Sequence, residues 1–112
     1  MSNILEYKNY IGSIEISGSD NMFFGKVLGI NSLLYYEGKD AQSLINDFHG
    51  VVDEYLELCA DKNIEPEISC SGRLNIRISP ELHKKAIITA IDEHISINSF
   101  VENAVRAAIE VN

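Results

Sequence analysis

Tryptophan is absent from these 112 residues, and cysteine and proline occur only twice each. No apolar run approaches the roughly 18 residues that a membrane-spanning helix needs. Two cysteines, Cys59 and Cys70, exclude a disulfide scaffold or a cysteine-only zinc site. Both read as free thiols of a reducing compartment. Met1-Ser2-Asn3-Ile4-Leu5-Glu6 lacks the basic-then-apolar layout of a signal peptide. The expected location is therefore the cytoplasm, with no membrane partner. A glycine-rich phosphate loop and a nucleophile motif are also missing. His49, His83 and His94 have no cysteine or carboxylate at a recognised ligand spacing, so no metal and no cofactor is expected.

Basic residues are scarce, with nine Lys and Arg against seventeen Asp and Glu. Their distribution says more than their total. Residues 1–72 hold four basic residues (Lys8, Lys26, Lys39, Lys62) against twelve acidic ones. Residues 73–112 hold five (Arg73, Arg77, Lys84, Lys85, Arg106) against five, and include every arginine. The acidic part suits a basic protein partner. The neutral, arginine-bearing part suits DNA phosphates and bases.

The first part reads as α+β. Tyr10 to Ser17 alternates Ile14 and Ile16 with Ser13, Glu15 and Ser17, the period of a half-buried strand. Gly18-Ser19-Asp20-Asn21 is a turn cluster, and Met22 to Ile30 forms the second strand of a hairpin. Leu33 to Tyr36 is a short third strand. Asp40 is placed as the N-cap of a long helix that stops near Lys62-Asn63. Its apolar stripe is Leu44, Phe48, Val51, Val52, Tyr55 and Cys59. Asp47, Asp53, Glu54 and Glu57 fall mostly on the other faces. They read as a solvated surface, not as the converging carboxylates that metal-dependent phosphodiester cleavage requires. No catalytic residue is assigned and no enzymatic activity is expected. Residues 1–65 are taken as one domain and 66–72, around Pro66 and Gly72, as a linker.

Residues 73–112 form the second domain. Arg73-Leu74-Asn75-Ile76-Arg77-Ile78 alternates polar and apolar side chains strictly, a strand with two different faces. Ser79 as N-cap and Pro80 at the first helical position open a helix. That helix ends near His94, and Ser96 or Asn98 caps a last one. A strand and two helices in so few residues bury too little surface alone, which makes a partner chain the expected remedy. Two copies can pair their strands into an antiparallel ribbon, turning Leu74, Ile76 and Ile78 onto the helices. Arg73, Asn75 and Arg77 then form an outer face. Arginine matches guanine and asparagine matches adenine in the major groove, so these three are the candidate base-contacting residues. Ser96, Asn98 and Ser99 open the last helix, where free N–H groups and the helix dipole favour a phosphate.

Gly72 through His83, followed by Ser96-Ile97-Asn98-Ser99-Phe100-Val101, resembles the ribbon-helix-helix family. The wider layout is similar to HicB antitoxins, with Tyr10 to about Glu67 corresponding to a partial RNase-H-like HicB domain. Phe24-Gly25-Lys26-Val27 and the Glu37-to-Lys62 segment carry that part of the likeness. The resemblance implies a cognate HicA toxin, a small mRNA-cleaving ribonuclease, bound and blocked by the first domain. It also implies double-stranded operator DNA bound by a homodimer of the second, which represses transcription of the operon. It points to no individual toxin-contacting residue, and whether dimers pair into tetramers stays open. The alternative is a stand-alone ribbon-helix-helix regulator whose first domain senses a ligand or drives assembly.

Overall fold

The computed structural model describes residues 3–110. The chain divides into two compact units, Met1–Arg73 and Leu74–Asn112. The first is an antiparallel sheet covered by one helix. Its strands are β1 (Ile4–Tyr7), β2 (Tyr10–Ser13), β3 (Glu15–Ser17), β4 (Met22–Leu28) and β5 (Tyr35–Gly38), and its helix is α1 (Ala41–Asp61). Strand β4 is central, with β2 and β3 pairing along one side and β5 along the other, while β1 extends the sheet beyond β2.

Three strand expectations need correction. Ile4–Tyr7 is a further strand, ahead of those expected. It turns into β2 through Lys8 and Asn9, both at positive φ (51 and 69°), a two-residue loop whose twist suits a hairpin. Without glycine in that loop the local signal is weak. The strand expected over Tyr10–Ser17 is interrupted at Ile14, although its register with β4 runs on (Gly12 opposite Val27, Glu15 opposite Phe24). Side chains replace the ladder there. The Lys26 N–H donates to Ser13 Oγ at 3.0 Å, and the Tyr36 hydroxyl donates to the Ser13 carbonyl at 2.6 Å. The third strand starts at Tyr35, not Leu33. Only the Leu34 carbonyl joins from before it, accepting from Val27 N at 3.0 Å.

The core follows the side-chain parity of the sheet. Tyr10, Val27 and Tyr36 meet Leu44, Phe48 and Val52 of α1, and all six are buried. Tyr36 lies over Gly12 and Gly25, where any Cβ would collide with its ring or hydroxyl. Burial pushes the Tyr36 hydroxyl up to about 12, so it stays a donor. Asp40 caps α1 as expected: its carboxylate accepts from Ser43 N at 2.8 Å, and Ser43 Oγ accepts from Asp40 N at 3.2 Å. Asn63, at φ 54°, ends the helix in a left-handed turn. There Ile64 N donates to Cys59 O and Asn63 N to Ala60 O, which satisfies two terminal carbonyls.

The second unit holds α2 (Pro80–Asp92) and α3 (Ile97–Glu110). Ser79 Oγ accepts from Leu82 N at 3.2 Å and Pro80 opens the helix. α2 closes like α1, with His94 in the left-handed position at φ 60° and Ile95 N donating to Ala90 O. Among the described apolar residues of this unit, only Ala90 is buried. Residues 73–78, expected to pair with a second copy, carry no ladder within the single chain. An isolated strand has no partner for its N–H and C=O groups, so the alternation alone cannot make it one.

Candidate partner and nucleic-acid interfaces

The segment expected to be a linker is bound to the first unit. The Glu67 carboxylate accepts from the backbone N–H groups of Asn31 (2.7 Å) and Ser32 (3.1 Å) and from the Ser32 hydroxyl (2.7 Å). These donors hold its carboxyl below the ordinary value of 4.5. The Glu67 N–H donates to the Tyr55 hydroxyl at 3.0 Å, and its carbonyl accepts from the Tyr10 hydroxyl. Ser69 Oγ sits between β2 and β4, accepting from Ile11 N at 3.0 Å and donating to Leu28 O at 2.6 Å. The strap thus covers the end of the sheet where β2 and β4 part. No local sequence signal marks it, because every bond joins residues far apart in the chain.

A second polar group lies at the β1–β2 turn. Lys8 Nζ is 2.8 Å from Asp53 Oδ1, the Tyr7 hydroxyl donates to the same carboxylate at 3.0 Å, and His49 stacks on Tyr7 at 4.0 Å between centroids. The lysine holds the Asp53 carboxyl below its ordinary value. Asp53 is therefore a tied structural anion. Asp47 is also engaged, accepting from Glu37 N at 2.8 Å. Among the described residues no three His, Cys, Asp or Glu side chains gather into a group that could hold a metal ion. No described helix is long and apolar enough to cross a membrane.

In the second unit, Ile76, Arg77 and Ile78 run beside α2 and α3, with His83, Ala86, Ile97 and Val101 lining a hollow of about 330 Å³ between them. Leu74 is 73% exposed, Ile76 57% and Ile109 74%. Asn75 and Arg77 are exposed here, while Arg73 is the last residue of the first unit and is also exposed. Ser96 is the residue that caps α3: its Oγ accepts from Ser99 N and donates to Ser99 Oγ, each at 3.0 Å. Asn98 lies in the first turn with its side chain exposed. Both serine hydroxyls are thus turned onto the helix start, and the backbone there is flanked by small polar groups.

The described chain is an α+β protein, an antiparallel sheet with three helices. Residues 55–105 match the model of the HicB family. That stretch is a little under half of the chain. The matched stretch takes in the end of α1, the strap, residues 73–79, α2 and most of α3. It overlaps the expected HicB-like region, Tyr10 to Glu67, only from residue 55 onward, and the five strands lie outside it. No curated protein and no solved structure gives a significant match.

Proposed function

We propose that this chain is an antitoxin that neutralises a HicA-type mRNA-cleaving toxin by direct binding and represses its own operon as a dimeric ribbon-helix-helix protein. The observation that carries the DNA-binding half is the row of exposed apolar side chains Leu74, Ile76 and Ile78. In one chain they face water; in a dimer the two segments pair antiparallel and the row is covered. Arg73, Asn75 and Arg77 then alternate onto the opposite face as base readers. The α3 start at Ser96, Asn98 and Ser99 receives a phosphate on its N–H groups. The first unit, with twelve acidic against four basic residues over 1–72, carries toxin binding through charge complementarity and steric occlusion. The chain works as a binding protein with no catalytic role, and the cytoplasm holds both of its targets.

Co-expression with a small basic reading frame beside its own tests this reading. Rescue of growth and co-purification are expected. Deleting residues 73–112 should abolish operator binding and leave neutralisation at least partly intact. A folded truncation that no longer neutralises would contradict the division of labour. The stand-alone regulator would instead rescue nothing and co-purify with nothing.

A further inference from the structure

The sheet of the first unit ends in edge strands β1 and β5, each paired on one side only. Strand β5 pairs with β4 alone. The Glu37 N–H points away from β4, since Asp47 of α1 accepts it. Alternation along an antiparallel strand places the Tyr35 peptide groups on that same open edge. An exposed strand edge is a template for another strand, and proteins usually block it. Here a single side-chain carboxylate does so at one amide.

Beside the edge, β5 and α1 frame a groove of about 210 Å³. Its walls include Leu33, Tyr35 and Leu58, which are 77%, 59% and 50% exposed. Two further hollows share Tyr35, or Glu37 and Asp47, so the concave surface continues along the strand. Four carboxylates, Asp20, Glu37, Asp47 and Glu54, line these hollows, and no lysine or arginine does. A second copy placed symmetrically on this surface would bring each carboxylate toward its own equivalents, a like-charge arrangement that costs affinity.

We infer that the β5 edge and its groove dock an extended basic segment of the partner protein, which adds to the sheet as a further strand. The inference rests on the antitoxin reading above and names its contact surface. Leu33, Tyr35 and Leu58 are the apolar anchors, and Glu37, Asp47 and Glu54 form the acidic rim. A carbonyl of the incoming strand takes the Glu37 N–H from Asp47. The released carboxylate then faces a lysine or arginine of the partner. Backbone pairing supplies the register, and the alternate side chains supply the selectivity.

The test uses the full chain and the basic protein encoded beside it, followed by calorimetry and amide hydrogen exchange. In the complex the Tyr35 and Glu37 amides should become protected. Leu33→Arg combined with Glu54→Arg changes two exposed side chains outside the core, and should weaken binding about 30-fold with the melting temperature unchanged. Ile4→Arg, on the opposite sheet edge, should leave binding unchanged. If the wild type binds but the double variant binds equally and residues 33–37 stay unprotected, this site is wrong and the antitoxin reading survives. If the wild type does not bind, both are wrong. Protection of 33–37 in the chain alone, rising with concentration, would assign the edge to a second copy and overturn the inference. Should the double variant fold poorly, the exchange pattern of the wild-type complex decides.

Discussion

The two units of this chain spend their apolar residues differently. In the first, Tyr10, Val27, Tyr36, Leu44, Phe48 and Val52 close on one another, and Tyr10, Phe48 and Val52 are less than 2% exposed. In the second, Leu74, Ile76, Ile87, Ile91, Val105 and Ile109 remain in water around a buried Ala90. Helix capping is equally careful in both, since α1 and α2 share an N-cap side chain and a left-handed C-terminal turn. Local structure is thus complete in each unit, while tertiary burial is complete in one. Helical stability comes mostly from packing an apolar face, and in the second unit most of that face is exposed.

The largest effect expected within the self-sufficient unit is at Phe48, which is fully buried against Tyr36 at 5.0 Å between ring centroids. Phe48→Ala should cost about 3–5 kcal/mol. Urea unfolding read from a probe in each unit measures it. A loss confined to the first unit sharpens the contrast, and concerted loss of both would break it. Arg77→Ala, in the second unit, should leave folding intact and weaken operator binding by about 1–3 kcal/mol if Arg77 reads a base. Unchanged affinity in a titration would remove the ribbon assignment.

The smallest effect concerns the strap. Glu67 is held below its ordinary 4.5 by the Asn31 and Ser32 donors, so the unfolded chain takes up that proton at higher pH than the folded one. The stability it contributes is present above 4.5 and is lost as the pH falls through the depressed value. Glu67→Gln should flatten the acid side of the stability profile. Some slope should remain from Asp53, whose carboxyl shifts the same way through Lys8. An unaltered acid limb, measured by urea midpoints against pH, would show that the strap does not fasten the first unit.

What was legible in the sequence was local. The Leu44, Phe48, Val52 and Cys59 stripe and the Asp40, Ser79 and Pro80 starts follow from spacing and side-chain chemistry within a few residues. The end of α1 near Lys62-Asn63 is local too. The break at Ile14 was not legible, because it depends on Tyr36 reaching across two glycines from another strand. The strap was hidden for the same reason: Glu67 and Ser69 find partners more than thirty residues away. At the candidate DNA site the sequence shows which side chains alternate over 73–78, but one chain cannot show the ladder that would make them a ribbon. The β5 edge was not legible either, because the apolar run Leu33 to Tyr36 reads as strand while the pairing begins only at Tyr35.

The central claim is that a second copy completes the second unit, and sedimentation equilibrium of the full chain with and without Ile76→Lys tests it most directly. Ile76 is 57% exposed in the single chain, so the lysine is tolerated there and its charge acts on pairing. The account predicts a wild-type dimer that binds operator DNA and a folded monomeric variant that does not. A wild-type chain that stays monomeric while binding operator DNA would contradict it.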